Sequence, residues 1–256
     1  MSTYGREISE LQHENLEPFP YESRFKRRSS PAERFWNWYA KVYGSVENLS
    51  PYKDMLQAVV DLVPESAQSI LDAGCGSGAL LQKLRRSHPE ANLSGIDFSD
   101  EMLAKSRKRV PGLNACQGNL NMQLPYPDEK FDCIVCTNAL YAVESPQRLM
   151  SELLRVTKNS GIVVVSSPKR RARGTKILRR HLTDVSVISG VIDMVRFSTC
   201  IIPNVLIERY ARDRRYHFLT RDEVENLGGH VSIHADTFAE QNWMFTISKN
   251  RIKLRN

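Results

Sequence analysis

From about residue 65 onward, short apolar runs alternate with segments of helical spacing. QSILDAG reads as a strand and SGALLQKLRRSH, directly after it, as a helix. ANLSGIDF is a second strand. Ser99 can cap the helix that follows, with Asp100 and Glu101 in the first turn, where carboxylates suit the helix dipole. LNACQGNL is a short third strand and EKFDCIVCTNAL a fourth. SPQRLMSELLRVTK sets Leu149, Leu153 and Val156 on one helical face and leads through NSG into a fifth strand, GIVVVSS. This alternation predicts parallel βαβ units, and so an α/β fold.

The alternation then stops. Residues 169 to about 217 read as largely helical, with Leu178, Leu182, Val185, Ile192 and Val195 at spacings of three, four or seven. LTRDEVENLGG follows, with a threonine cap and a closing glycine pair. VSIHADTFA and NWMFTISK read as two strands joined by a short polar turn, which should pair antiparallel. Before residue 50, ERFWNWYAKVYGS is an aromatic helical stretch outside the series. These breaks divide the chain into an N-terminal helical arm (1–50), a sheet-bearing core (51–168), a helical insertion (169–217) and a C-terminal part of the core with the strand hairpin (218–256).

Composition changes this picture little. The chain has 256 residues, 41% hydrophobic and 25% charged, as in ordinary soluble globular proteins. Five cysteines without regular spacing suggest free thiols in a reducing compartment. Cys133 and Cys136 lie three apart in a strand and so point to opposite faces, as core thiols and not as a redox or metal pair. No metal is expected. The N-terminus lacks a basic start followed by an apolar core. The longest weakly charged stretch, VSVISGVIDMVRFSTCIIPNVL, is broken by Asp193, Arg196 and Pro203, which argues against a membrane crossing. A cytoplasmic protein is expected.

The net charge of +7 has a local source. KRRARGTKILRR, residues 169–180, holds Lys169, Arg170, Arg171, Arg173, Lys176, Arg179 and Arg180 and no acid. Setting these seven aside, the remaining 29 of 36 basic residues equal the 29 acids. Such a run can attract an acidic acceptor, rest on an anionic membrane, follow RNA phosphates or simply be solvated. No binding module or aromatic platform for nucleic acid is recognisable, so nucleic acid is an unlikely partner.

The chemistry lies in DAGCGSG, residues 72–78. A glycine turn between strand and helix presents backbone N–H groups to a ligand. No lysine follows Gly78, which excludes a phosphate-binding P-loop. Gly74, Gly76 and Ala79 satisfy the loose dinucleotide pattern, and Asp97 falls at the distance of a ribose-binding acid. Asp72 decides between the ligands. Two residues before the first glycine, its carboxylate should face the crevice and repel a pyrophosphate. A phosphate-free adenosine compound with cationic groups, S-adenosylmethionine, suits it instead.

DAGCGSG, then IDFSDEML, then GNLNMQLPYPDEKFDCIVCTNAL resemble the first four motifs of the class I S-adenosylmethionine-dependent methyltransferases of small-molecule type, and the terminal hairpin is similar to theirs. The resemblance covers roughly residues 65–168 and 218–250. It implies a Rossmann-like α/β fold: a seven-stranded, mostly parallel sheet with an antiparallel last strand. The arm and the insertion would form a helical lid over the cofactor and the acceptor pocket. By position, Asp72, Gly74, Gly76 and Gly78 would surround the methionine part of the cofactor and Asp97 the ribose. Phe98 and Met102 would flank the adenine, and Asn119 with Leu120 would meet its edge. The family has an acid where Asn119 stands, so that contact is weaker here. Thr137 and Asn138 would line the cleft near the methyl group.

Methyl transfer from a sulfonium is an in-line displacement governed mainly by alignment. A hydroxyl acceptor gains from a general base. Tyr39, Tyr43, Tyr141, Glu144 and His181 are the candidates, with Tyr39, Tyr141 and His181 foremost. The apolar insertion and the arm residues Phe35, Trp36, Trp38, Tyr39 and Tyr43 favour a small, hydrophobic organic acceptor. Two alternatives stand beside it: a regulatory S-adenosylmethionine- or nucleotide-binding module without turnover, and a methyltransferase acting on membrane lipid or RNA.

Overall fold

The computed structural model describes residues 37–38, 44–169, 173–185, 192–193 and 217–250. Helices α1 (Gly44–Glu47) and α2 (Ser50–Asp61) precede strand β1 (Ser69–Ala73). Then come α3 (Ala79–Ser87), β2 (Asn92–Asp97), α4 (Asp100–Arg109), β3 (Asn114–Gln117) and β4 (Phe131–Thr137). A 3₁₀ turn at Leu140–Ala142 leads to α5 (Pro146–Val156) and β5 (Thr157–Pro168). The described part ends with α6 (Gly174–Asp184), α7 (Arg221–Glu225), β6 (His230–Ile233) and β7 (Asn242–Ser248).

The strands form one seven-stranded sheet in the order β3-β2-β1-β4-β5-β7-β6. Strands β1 to β5 pair in parallel, and β7 runs antiparallel to both β5 and β6. This is the Rossmann-like arrangement expected from the sequence. Chain order reverses between β1 and β4, and in open α/β sheets such a switch opens a crevice at the carboxyl ends of the strands. The glycine turn leaves β1 at that edge, and Thr137 ends β4 beside it.

Each face of the sheet carries its own core. Ile70, Cys133, Val135 and Val164 pack with Met55 and Val59 of α2, Leu81 and Leu84 of α3, and Leu103 of α4. Leu71, Ile96, Ile134, Cys136 and Val163 pack with Leu149 and Leu153 of α5 and with Phe245. Cys133 and Cys136 therefore lie on opposite faces, both free and buried. Burial pushes the Cys136 thiol up to about 12, with the Asp72 carboxylate adding to it. The helix starts follow the sequence signals: the Ser99 hydroxyl accepts from Met102 N–H, Ser145 caps α5, and Thr220 with Glu223 forms a capping box on α7.

Three expectations are corrected. Strand β5 begins at Thr157, so the NSG segment is not a turn before the strand but a bulge within it. Phe131 pairs with Thr157 and Cys133 with Ile162, two steps on β4 against five on β5. Gly161 permits this, because a Cβ there would stand 2.7 Å from Asp132 O. The hairpin is also looser than read: β6 ends at Ile233, and Phe238, Ala239 and Glu240 all have positive φ, which no strand allows. On α6, the apolar repeat through Leu178 and Leu182 does not face the core. Ile177 and His181 are buried there instead, while Leu182 and Ile192 are 41% and 48% exposed. Val195 lies outside the described residues.

Candidate functional site

The loop after β1 is bent by Gly74, Gly76 and Gly78, with φ of 83°, 52° and 80°. Each is left-handed, a conformation that glycine adopts without steric cost. Two of the three are also packed. A Cβ on Gly74 would lie 2.6 Å from Ala139 Cβ, and one on Gly78 would lie 2.9 Å from Ser106 Cβ. Gly76 differs, for its Cβ would meet nothing within 4 Å. Its open side is where a ligand can approach bare backbone.

The loop is tied to the end of β2. Gly74 and Cys75 N–H donate to Ile96 O, and Gly76 N–H donates to Asp97 Oδ2 at 2.8 Å. Asp97 Oδ1 accepts from Ser99 N–H at 2.9 Å. Each Asp97 oxygen thus uses one lone pair on backbone and keeps another for hydroxyl donors. Asp72 pairs in register with Gly95, so Asp72 and Asp97 share one face of the sheet. Asp72 is only 1% exposed, enclosed and not open to a crevice as expected. Among the described residues its Oδ1 has no hydrogen-bond partner. Burial, and then the neighbouring Asp97 carboxylate, push its pKa up to about 8. Burial likewise raises Asp97, offset in part by the N–H groups of Ser99 and Gly76.

An enclosed carboxyl with a partnerless oxygen beside a second acid calls for a cationic donor. The ammonium of S-adenosylmethionine is such a donor, and the hydroxyls of its ribose match the lone pairs left on Asp97. The residues present therefore fit that cofactor. No group of three or more metal-ligating side chains occurs among the described residues.

The other expected site residues are placed with less focus. Leu120 reaches the loop, 3.6 Å from where a Gly74 Cβ would stand. Phe98 and Thr137 are half-buried, and Met102 is buried outside both core clusters. Asn119 is exposed, and its Oδ1 turns back to accept from Asn121 N–H. Asn138, with a φ of 52°, accepts from Asn242 Nδ2 at 2.8 Å. Asn242 also donates to Ser166 Oγ, so a buried polar floor underlies this edge of the sheet.

The candidate bases are not brought together. Tyr141 is buried and stacks on Phe218, with rings 5.9 Å apart and 4° from parallel. His181 is fully buried against the start of α2. Its Nδ1 accepts from Ser50 N–H at 3.1 Å, which leaves the proton on Nε2, 3.3 Å from Asp193 Oδ2. Through Nδ1 that ring joins α6 to the start of α2, while its Nε2 has no hydrogen-bond partner among the described residues. Glu144 is exposed, and its N–H donates to Asn121 Oδ1. Phe35, Trp36, Tyr39 and Tyr43 lie outside the described residues, and Trp38 is 41% exposed.

Sequence reasoning missed the ions around the loop. Glu47 of α1 contacts Ser77 in the loop and Arg109 at the end of α4, and Asn37 of the arm contacts Ser99. Pairs that distant in sequence leave no local signal. Part of the basic run is likewise paired: Lys169 with Asp236, Lys176 with Glu240 at 2.5 Å, and Arg180 with Asp184 at 3.2 Å. Lys169 also lies 4.0 Å from the centre of the Trp243 ring. Arg170 and Arg171 lie outside the described residues. No helix among the described residues is long and apolar enough to cross a membrane.

Residues 71–165 match the family described as methyltransferase domain. Over 110 residues the chain is 37% identical to phosphatidylethanolamine N-methyltransferase of Cereibacter sphaeroides, covering 41% of this chain and 53% of that protein. Over 140 residues it is 30% identical to trans-aconitate 2-methyltransferase of Acidovorax sp. (strain JS42), covering 55% and 52%. The match thus spans about half the length of these relatives. A SAM-dependent methyltransferase from Thermotoga maritima superposes over 85% of this chain and 97% of its own, with a TM-score of 0.55 at 19% identity. That likeness bears on the fold alone. With this strand order, this loop and this pair of acids on the matching stretch, residues 71–165 carry a methyltransferase domain of the class I, Rossmann-like, S-adenosylmethionine-dependent kind.

Proposed function

We propose that the chain transfers the methyl group of S-adenosylmethionine to a small, hydrophobic organic acceptor. The observation that carries this reading is the enclosed Asp72 carboxyl, with its partnerless Oδ1, at the root of the glycine turn. When bound, the cofactor supplies an electrophilic methyl on a sulfonium. Asp72, releasing its proton to solvent, would hold the ammonium. Asp97 accepts from the ribose hydroxyls while Gly76 and Ser99 N–H hold it in place. Phe98, Met102 and Leu120 shelter the adenine, with Asn119 at its edge. Gly74 and Gly78 fix the curve of the loop, and Gly76 leaves room for the methionine chain.

The described residues then act by alignment. Thr137 and Asn138 stand at the end of β4, where the acceptor would enter. Tyr141, which follows β4 and stacks on Phe218, could receive a hydroxyl proton only as its phenolate. The trans-aconitate relatives support a small organic acceptor, and the phosphatidylethanolamine relative keeps a lipid head group in view.

Methyl-labelled S-adenosylmethionine offered with a panel of small organic acids, phenols and amines tests this. Label should pass to at least one small acceptor, and Asp72→Asn should reduce transfer at least about tenfold. Label appearing only on phosphatidylethanolamine vesicles or RNA would contradict the acceptor class. Binding without transfer to any acceptor would favour the regulatory module.

A further inference from the structure

The arm meets the cofactor loop through ions as well as apolar packing. Glu47 closes α1, with its side chain 12% exposed, and its Oε2 lies 2.7 Å from Arg109 Nη2. Ser77, between Gly76 and Gly78, donates its hydroxyl proton to Glu47 Oε1 and accepts from Arg109 Nη1 at 3.0 Å. The three side chains close a ring, each bonded to the other two. Ser77 is 6% exposed and the Arg109 side chain 28%, so the ring is enclosed at Ser77 and Glu47 and reaches water at Arg109.

A second contact lies at the other shoulder of the loop. Ser99 donates its hydroxyl proton to Asn37 Oδ1, and Ser99 N–H holds Asp97 Oδ1. Asp97 Oδ2 in turn holds Gly76 N–H. The arm is therefore connected to the loop directly at Ser77 and, through Ser99 and Asp97, at Gly76. Both points lie within one residue of each other on the segment that must admit the cofactor.

An ion pair so enclosed loses much of its attraction to desolvation, so it is weak as a source of stability and strong as a constraint on geometry. Here the constraint falls on the residue flanked by two left-handed glycines. Without it, the loop would explore the many conformations glycine allows, and that freedom would be lost on binding.

We propose that Glu47 and Arg109 are positioning residues that clamp the glycine loop through Ser77 and so hold it in the shape that the S-adenosylmethionine site requires. The proposal rests on the reading of the site as one for S-adenosylmethionine. Neither residue touches the reacting atoms. The plain alternative is a surface-to-core ion pair that adds stability and nothing else.

Calorimetric titration with S-adenosylhomocysteine separates these. Glu47→Gln keeps the shape and removes the charge, and Ser77→Ala removes the hydroxyl while leaving both ions. The clamp predicts dissociation constants weakened about five- to tenfold for each variant. The double variant should be no weaker than the weaker single, because both act on one ring. Lowered melting temperatures with wild-type dissociation constants would overturn the proposal and leave the cofactor reading intact. A wild type that binds no S-adenosylhomocysteine would overturn both.

Discussion

At the scale of single residues, Asp72 carries the account. Its place before the first glycine is legible in the sequence. Its enclosure is not, because that depends on what the rest of the chain lays against it. Enclosure changes the argument: with its pKa raised to about 8, the carboxyl of the free protein is mostly protonated at neutral pH. A cation must displace that proton, whereas a pyrophosphate would keep it in place. The groups around it are Asp97 on β2, Cys75 in the loop and Cys136 on β4, each acidic or neutral. The sign follows. A carboxyl raised above its unfolded value stabilises the free protein below about pH 4, and that contribution is lost as pH rises through about 8. Cofactor binding runs the other way. S-adenosylhomocysteine affinity should fall about tenfold per unit below pH 8, with about one proton released per molecule bound at pH 7. Calorimetry in buffers of different ionisation enthalpy reads that proton directly. In Asp72→Asn the release and the pH slope should both vanish, and their persistence would place the titrating group elsewhere.

Among the elements, the strands and helices of the core announce themselves because their signals are local. Ser99 and Thr220 cap as their sequences suggest, and the period of β4 sorts Cys133 from Cys136. The errors arise where a distant partner decides. On α6 a histidine displaces leucines from the buried face, since Ser50 N–H satisfies its Nδ1 and so offsets the cost of burial. A hydrophobicity pattern cannot register that bond. The glycine turn shows the same division. Its pattern is visible, yet the separate duties of its glycines appear only in three dimensions. Alanine at Gly74 or Gly78 adds a collision with Ala139 or Ser106 to about 1–2 kcal/mol of left-handed strain. Those variants should lose more stability in urea than Gly76→Ala, which meets nothing. Gly76→Ala should instead weaken S-adenosylhomocysteine binding by more than its stability loss accounts for. A Gly76→Ala protein that binds as well as wild type would mean the ligand does not pass that face.

For the whole molecule, parallel βαβ units follow from alternation in the sequence, while the seven-stranded sheet and the edge that holds the site follow from the resemblance to the methyltransferases. The setting of the arm and the basic run does not follow. Glu47 meets Arg109 across 62 positions, and Lys169 meets Asp236 across 67. The run that reads as a free cationic patch is thus partly neutralised by the loop between β6 and β7, while Glu47 brings a further acid to the cofactor loop. The central claim is that a buried acid at the foot of the glycine turn selects a cationic, phosphate-free adenosine ligand. A crystal structure of the protein grown with S-adenosylmethionine tests it most directly. The account predicts the ammonium within hydrogen-bond distance of Asp72 Oδ1 and the ribose hydroxyls on Asp97. A bound cofactor whose ammonium lies elsewhere, with Asp72 Oδ1 still lacking a partner, would contradict it.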